Sequence, residues 1–179
     1  DRCLSRGLGD VYKRQAYNGH ATPWHQDGQY WPIRPLATCT VWLAVDDANE
    51  ENGCLKFIRG SHRDKNLKQH EFNEDKNLTL HQELLKSEFN EKESVNLILK
   101  RGQISLHDVY LVHGSDANLS SKSRRGMTMR FMPTTSVFDH NLAKEKYNNL
   151  NVSKYSNRKI YLARGYDKSK RNNLEVVNF

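Results

Sequence analysis

The sequence has few cysteines and no long apolar run, and both shortages restrict what the protein can be. The three cysteines, Cys3, Cys39 and Cys54, form no Cys-x-x-Cys pair and are odd in number, which excludes a disulfide scaffold and a thiolate zinc site. No apolar stretch approaches the roughly 20 residues that span a bilayer, so we expect neither a membrane protein nor a membrane partner. A reducing, cytoplasmic compartment fits this cysteine usage best.

The chain has 179 residues, which is the size of one domain. Its formal net charge is +7, and the segment 141–179 holds nine basic residues against three acidic ones. Such a tail is typical of a solvated basic surface, or alternatively of a segment that binds an anion or a nucleic acid. The sequence has no RNP, zinc-finger or helix-turn-helix motif, so we expect no nucleic-acid partner.

Residues 1–15 (DRCLSRGLGDVYKRQ) differ from the rest of the chain. They show no sustained periodicity, and Arg6 to Gln15 resemble the translated sequencing-adapter read-through found at the end of a contig. We therefore expect residues 1–15 to be a non-native segment and residues 16–179 to be part of one natural domain. The alternative is a genuine disordered N-terminus.

The rest of the chain has mostly the pattern of β-strands. Ala37 to Val45 is rich in β-branched and aromatic residues, and Cys54 to Ile58 is predicted to be the strand that returns after the Asn52-Gly53 turn signal. Leu80 to Phe89 has apolar residues at helical spacing, which predicts a helix within a polar insert. Short strands around turns, without regular strand–helix alternation, predict a sandwich or a barrel. Further strands are expected at 95–99, 103–112, 126–132 and 159–163, with a partly helical tail from residue 141.

An imidazole and a carboxylate lie two residues apart at His25 and Asp27. On an extended strand such residues point to the same face and can hold one ion together. His113 is the strongest candidate for a third ligand, because it ends an apolar strand directly before a glycine. Two histidines and one carboxylate leave three coordination positions open, which suits non-haem Fe(II). The neighbours His107 and Asp108 are expected to face opposite ways and cannot chelate one ion together.

Arg124 follows His113 by eleven residues. A planar guanidinium binds a carboxylate through two parallel hydrogen bonds, which suits the distal carboxylate of 2-oxoglutarate. If Arg124 begins a strand that runs to Phe131, alternate residues from Arg124 to Arg130 share one face. The alternative interpretation places Arg124 and Arg125 on an exposed turn.

Several further motifs occur in a fixed order between about residues 21 and 133. They are HQDGQYWP at 25–32, VWLAVD at 41–46, ENGCL at 51–55, GSH at 60–62, LVHGS at 111–115, and the stretch from Asn118 to Arg124. In order and spacing, this set resembles the phytanoyl-CoA dioxygenase family. The resemblance implies a mainly β fold, the double-stranded β-helix (a jelly-roll, cupin-like barrel), here with a helical or loop insert and a C-terminal extension.

The resemblance also implies a set of cofactors and site residues. Members of this family use Fe(II), 2-oxoglutarate and O2. Hydroxylation rather than halogenation is implied, since halogenating relatives replace the carboxylate that Asp27 keeps here. Carried over by position, the iron ligands are His25, Asp27 and His113, the clamp on 2-oxoglutarate is Arg124, and the residues lining the cosubstrate pocket are Ser115 and Trp42.

The implied reaction is hydroxylation of an unactivated C–H bond in a small-molecule or acyl-CoA-type substrate, with release of succinate and CO2. Relatives carry further elements upstream of the motif at 25–32, so we expect this chain to be an N-terminally truncated fragment. Gln29, Tyr30, Trp31 and Arg34 are expected to lie on the substrate side.

Two alternative functions remain open at the level of sequence. The first is a jelly-roll module that binds metal without turnover. The second is a basic protein that binds an anion or a nucleic acid through its C-terminal tail. Binding of this second kind is expected to be sensitive to salt and to survive His25→Ala.

Overall fold

The computed structural model describes residues 9–150 and 156–175. Most of the regular structure is antiparallel, and two four-stranded sheets form the body of the fold. This is the mainly β, cupin-like jelly-roll architecture that the sequence predicts. The described strands are β1 (Gly9–Arg14), β2 (Thr22–His25), β3 (Ile33–Arg34), β4 (Cys39–Ala44), β5 (Leu55–Ile58), β6 (His70–Phe72), β7 (Gln82–Leu84), β8 (Ser94–Leu97), β9 (Ile104–Asp108), β10 (His113–Ser115), β11 (Arg124–Phe131), β12 (Val137–Phe138), β13 (Ile160–Tyr161) and β14 (Leu174–Glu175).

The two main sheets are built from strands that are distant in sequence. Sheet A has the order β1-β11-β4-β9, and sheet B has the order β2-β10-β5-β8. Along β4 and along most of β11, buried residues alternate with more exposed ones, which is the period of a strand with one face turned to the interior. Three short pairs, β3 with β12, β6 with β7 and β13 with β14, lie outside these sheets.

Strand β1 lies within the segment expected to be non-native. It is antiparallel to β11 along its whole length, from Gly9 opposite Met129 to Arg14 opposite Arg124. The backbone of residues 9–14 therefore forms one edge of sheet A. Strand pairing does not report on the origin of a segment, so the non-native origin of residues 1–15 stays a prediction.

The helix predicted over Leu80 to Phe89 is wrong. Gln82–Leu84 forms β7, which pairs with β6, and the chain then makes a single 3-10 turn at Lys86–Glu88. Within β7 the first and last residues are buried and the middle one is half-buried. Cross-strand pairing thus outweighs the helical spacing of the apolar residues, which is ambiguous over so short a stretch.

The strand predicted at 103–112 is shorter than expected, because the chain turns at Asp108. The Asp108 carboxylate accepts a hydrogen bond of 2.9 Å from the backbone N–H of Tyr110, and its carbonyl accepts one of 3.1 Å from the backbone N–H of Leu111. A side chain that bonds its own backbone two residues on is a standard turn former. The turn carries the chain from sheet A to sheet B, so His113 begins β10 instead of ending the preceding strand.

The tail contains the predicted helix, α1 (His140–Leu150), and a short strand where one was expected at 159–163. Helix α1 contributes Ala143 to a core cluster that also contains Trp31, Ile33, Val109 and Phe138. The C-terminal extension therefore packs against the end of the motif at 25–32 and the strand β3 that follows it. Within residues 9–150 and 156–175, no helix has both the length and the apolar character needed to cross a membrane.

Candidate metal centre

Two neighbouring strands of sheet B bring the predicted histidine ligands together. His25 is the last residue of β2 and lies directly opposite His113, the first residue of β10. Their ring centroids are 4.2 Å apart. Strand pairing therefore joins two residues that are far apart in sequence, as the jelly-roll topology requires.

Asp27 lies at this site because of a turn that the sequence did not indicate. The expectation that His25 and Asp27 share one face of a single strand is wrong, because β2 ends at His25. Asp27 instead begins a 3-10 turn, Asp27–Gln29, whose backbone is fixed by hydrogen bonds from Tyr30 and Trp31 to the carbonyl of Asp27. The turn places the carboxylate beside the two histidines.

The three side chains form a compact, buried cluster with the composition of a metal site. One ligand atom from each of His25, Asp27 and His113 lies within 4.8 Å of the others, and all three residues are buried. His25 donates its Nδ1–H to the carbonyl of Pro23, and His113 donates its Nδ1–H to the carbonyl of Leu111, each at 2.8 Å. Such bonds fix the tautomer, so that each Nε2 keeps a lone pair for a metal ion.

The surroundings of His25 and Asp27 keep both side chains in the protonation states that a metal ion needs. Burial, and next the proximity of His113, lowers the pKa of His25 to about 3, so its ring is neutral at pH 7. Burial acts to raise the pKa of Asp27, but Arg130 and the nearby histidines outweigh it and hold that pKa below its usual range. Neutral imidazoles and an ionised carboxylate are the forms that bind metal.

A row of three residues on the opposite sheet lies beside the cluster, and two of the three contact Asp27. Arg130 on β11 pairs with Thr40 on β4, and Thr40 pairs with His107 on β9. The Thr40 hydroxyl donates a hydrogen bond of 3.1 Å to Asp27 Oδ2, and Arg130 Nε lies 3.9 Å from the same oxygen. The His107 ring centroid lies 5.6 Å from that of His113.

The sequence analysis assigns no role to any member of this row, although it places Arg130 on the same face as Arg124. His107 cannot chelate an ion jointly with Asp108, but its side chain faces inward and is 8% exposed. Burial, followed by the proximity of His113, lowers the pKa of His107 to about 4. The alternation along β4 and β11 could have identified Thr40 and Arg130, because both occupy positions whose side chains face the interior.

Arg124 lies on the inner face of β11, as the strand hypothesis required. It is 2% exposed, and among the described residues its Nε has no hydrogen-bond partner. Burial lowers the pKa of Arg124 to about 10, so the guanidinium stays charged at pH 7. The interpretation of Arg124 as a turn residue is therefore wrong, whereas Arg125 is exposed and bonds Asp46 at 2.7 Å.

An indole and a glycine lie beside the Arg124 side chain. Its Cζ lies 5.6 Å from the ring centroid of Trp42, which is buried. A Cβ added to Gly126 would overlap the Trp42 ring, so the absence of a side chain there lets the indole lie against β11. Ser115 is 5% exposed on β10, two residues after His113. A buried guanidinium beside an indole can receive a carboxylate.

The four residues expected on the substrate side take different positions. Trp31 is a core residue that two guanidinium groups approach, Arg130 at 4.8 Å and Arg158 at 5.3 Å from its ring centroid. Tyr30 is buried, with its hydroxyl donating to the carbonyl of Gln82. Gln29 is half-buried, and its carbonyl accepts a hydrogen bond from Lys146, whereas Arg34 is exposed.

The sequence is similar to a known family and to curated relatives. The family model described as phytanoyl-CoA dioxygenase (PhyH) matches residues 7–126. A phytanoyl-CoA dioxygenase domain-containing protein 1 homolog from Dictyostelium discoideum is 32% identical over 130 residues, covering 70% of this chain and 45% of the relative. The human phytanoyl-CoA dioxygenase, peroxisomal, is 30% identical over 114 residues, covering 61% of this chain and 32% of that protein. The chain thus spans less than half the length of these curated relatives.

Solved structures share the fold. The apo form of the non-heme monooxygenase ThoJ matches with a TM-score of 0.61 and 25% identity, covering 72% of this chain and 46% of that one. EvdO2 from Micromonospora carbonacea var. aurantiaca, complexed with 2-oxoglutarate, matches with a TM-score of 0.56 and 25% identity, covering 70% of this chain and 52% of that one. Fold and site thus define a cupin-like barrel with a buried cluster of two histidines and one carboxylate. By the match over residues 7–126, the chain belongs to the phytanoyl-CoA dioxygenase family.

Proposed function

We propose that this chain carries the catalytic centre of an Fe(II)- and 2-oxoglutarate-dependent dioxygenase, which hydroxylates an unactivated C–H bond of a small molecule. The observation that carries the proposal is the buried cluster of His25, Asp27 and His113. In both histidines a backbone carbonyl occupies Nδ1, so Nε2 is the atom offered to a metal. Membership of the phytanoyl-CoA dioxygenase family supports the same function.

The donor set fits Fe(II), since two imidazoles and a carboxylate leave positions open for a cosubstrate and oxygen. When bound, Fe(II) with 2-oxoglutarate and O2 supplies the oxidising chemistry that releases succinate and CO2. The chain itself contributes the ligands, a buried surrounding that excludes water, and a fixed orientation of Asp27 through Thr40.

Arg124 is the proposed clamp on the distal carboxylate of 2-oxoglutarate, and Trp42 and Ser115 are proposed to line the cosubstrate slot in front of it. The buried Arg124 Nε, for which the described residues supply no acceptor, supports this role, because a buried donor without a partner is costly. EvdO2, which has a similar fold, is known in complex with 2-oxoglutarate.

An anaerobic titration tests metal and cosubstrate binding together. The purified chain receives Fe(II) and then 2-oxoglutarate, and the visible charge-transfer band of the complex is recorded. We expect the band to disappear in His113→Ala and to require a higher 2-oxoglutarate concentration in Arg124→Ala. Arg125→Ala is the matched control, because it removes a neighbouring arginine from the opposite face of β11 and should leave the band unchanged.

The outcomes separate this proposal from its alternatives. Metal binding without a response to 2-oxoglutarate would favour a metal-binding module without turnover. A folded chain that binds neither would contradict the proposed function. Oxygen consumption that depends on 2-oxoglutarate and is lost in His113→Ala would support it.

The substrate and the cellular location are finer parts of the proposal. A small-molecule or acyl-CoA-type substrate is proposed because the curated relatives are named for phytanoyl-CoA. A cytoplasmic location is proposed because Cys39 and Cys54 are free thiols, which a reducing compartment maintains. Fractionation of cells that express the native gene, with cytosolic and peroxisomal markers, tests the location, since the human relative is named as peroxisomal.

A further inference from the structure

Two polar side chains beside the candidate metal ligands have no role in the proposed ligand set. His107 and Arg130 occupy the two ends of the row across sheet A, with Thr40 between them. Because Thr40 bonds Asp27, the two end residues flank the metal-binding carboxylate. Neighbouring strands are about 4.8 Å apart, so the backbones of His107 and Arg130 are separated by about 10 Å.

His107 is a buried imidazole that lacks a hydrogen-bond partner among the described residues. It is 8% exposed, and its ring lies 5.6 Å from that of His113, yet it does not belong to the ligand cluster. His25 and His113 differ from it, because both donate to backbone carbonyls. The ring of His107 can donate one hydrogen bond and accept another, so an inward-facing imidazole that makes no bond to the described residues is available to bind a ligand.

Arg130 supplies a fixed positive charge at the other end of the row. Its guanidinium stacks over Trp31 at 4.8 Å, and its Nη1 donates a hydrogen bond of 3.1 Å to the hydroxyl of Thr128. A guanidinium carries its N–H donors in one plane, as a rigid fork that matches the geometry of an oxyanion. Arg158 of the C-terminal extension approaches the same indole at 5.3 Å and adds positive charge nearby.

The position of this pair along β11 distinguishes it from the proposed cosubstrate slot. Arg124 and Arg130 share the inner face of the strand but lie at its opposite ends, and Asp27 is bonded at the Arg130 end. The charges of Fe(II) and of the 2-oxoglutarate dianion cancel, and Asp27 balances one of the two arginines. The second arginine leaves the site with a positive balance, which favours an anionic substrate.

We propose that His107 and Arg130 anchor an oxyanion group of the substrate, a carboxylate or a phosphate, on the side of Asp27 away from Arg124. The proposal rests on the proposed function, because it assigns a substrate class to the same site. An anion held by two groups fixed to strands of one rigid sheet is oriented as well as bound, which determines the C–H bond presented for oxidation.

The test uses small anions as probes. The chain is loaded with Zn(II), which supports no turnover, and saturated with 2-oxoglutarate. It is then titrated with acetate, butyrate, benzoate and inorganic phosphate, and binding is followed by calorimetry and by NMR of labelled histidine rings. Butyramide is the uncharged control for butyrate. We expect at least one anion to bind and to shift the His107 ring signals, and we expect butyramide to bind at least tenfold more weakly than butyrate.

Variants show where the anion binds. His107→Phe and Arg130→Met should each weaken probe binding at least tenfold, whereas His107→Gln and Arg130→Lys should retain part of it. Arg101→Met, which removes an exposed arginine, should have no effect. Circular dichroism confirms that each variant is folded. Equal binding by the wild type, His107→Phe and Arg130→Met overturns the proposal, and so does the absence of binding by every anion.

Failure of this proposal can be distinguished from failure of the proposed function. If the wild-type chain does not bind Zn(II) or 2-oxoglutarate, the proposed function is wrong, and the same anion titration is made on the metal-free chain. Anion binding that His107→Phe and Arg130→Met both abolish there still supports an oxyanion site. Binding that neither variant alters overturns that site as well.

Discussion

The Thr40 hydroxyl donates a hydrogen bond of 3.1 Å to Asp27 Oδ2, while Asp27 Oδ1 faces His25 Nε2 at 3.9 Å. The two oxygens of one carboxylate thus have separate tasks. Oδ2 is fixed by sheet A, and Oδ1 is directed toward the histidines of sheet B. Thr40 therefore determines which oxygen a metal ion meets, although it is not itself a ligand.

Replacing Thr40 by valine should weaken metal binding. The change removes the hydroxyl that orients Asp27 but keeps the shape of the side chain, and loss of such an outer partner typically costs 10- to 100-fold in metal affinity, so we expect at least about tenfold. Titration with Mn(II) followed by electron paramagnetic resonance measures the effect. Thr40→Ser keeps the donor and should bind Mn(II) nearly as well as the wild type. Equal affinities for Thr40→Val and the wild type would contradict the role assigned to this bond.

Gly126→Ala should destabilise the protein and disturb the cosubstrate slot. The added Cβ would overlap the Trp42 ring, and overpacking of a core typically costs about 1–3 kcal/mol. Urea unfolding measures the loss, and a titration with 2-oxoglutarate should show weaker binding. In a Trp42→Leu background the same change should cost much less, because the overlapping ring is gone. An equal cost in both backgrounds would show that the clash lies elsewhere.

The metal-free protein should lose stability as the pH falls from 7 to 5. The pKa of His107 is about 4 in the folded chain against 6.5 for the free side chain. Above pH 6.5 the His107 ring is neutral in both the folded and the unfolded state, so its full contribution to the free energy of unfolding is present. Below it the unfolded state binds a proton that the folded state does not, so the free energy of unfolding falls, by about 2 kcal/mol at pH 5 for this residue alone. His25 acts in the same direction, since its pKa in the folded chain is about 3.

His107→Gln provides the check on this pH dependence. The variant cannot titrate, so its free energy of unfolding, measured by urea denaturation in the presence of a chelator, should vary less between pH 7 and pH 5 than that of the wild type. Parallel curves for the two proteins would mean that His107 titrates equally in the folded and unfolded states.

Cys39 should react with iodoacetamide in the native protein, whereas Cys54 should not. Cys39 is exposed, while Cys54 is 2% exposed and burial raises the pKa of its thiol. Because the thiolate is the reactive form, Cys54 is protected both by its low exposure and by its raised pKa, which keeps the thiol protonated. Peptide mass spectrometry after timed labelling identifies the modified residue, and labelling in urea gives the fully reactive reference. Equal labelling rates in the native chain would contradict the burial of Cys54.

Local pattern was sufficient to predict the strands that surround the site. The β-branched run at Ala37 to Val45 corresponds to β4, and the proposed alternation from Arg124 to Phe131 corresponds to β11. These residues repeat every two positions with one face buried, and that periodicity is a local property. The same alternation predicts that Arg124 and Arg130 share a face, and the burial of Arg124 shows that this face is the inner one.

Register between strands could not be derived in the same way. His107 and Asp108 face opposite sides of β9, and local sequence does not determine which of them points inward. The pairing of His107 with Thr40 decides it, and that pairing depends on residues far away in the chain. The 3-10 turn at Asp27 was missed for a related reason, because a motif shows spacing but not where a strand ends.

The separation of His25 from His113, about 90 residues along the chain, has a consequence for folding. The two rings meet only after β2 and β10 have paired, and contacts between such distant residues form late because their loops must close first. In the unfolded polypeptide the two histidines are therefore not held together, so a metal ion has no preformed site at which to nucleate folding. We expect the ion to bind after folding. Its binding should slow the separation of β2 from β10 and raise the apparent free energy of unfolding by mass action.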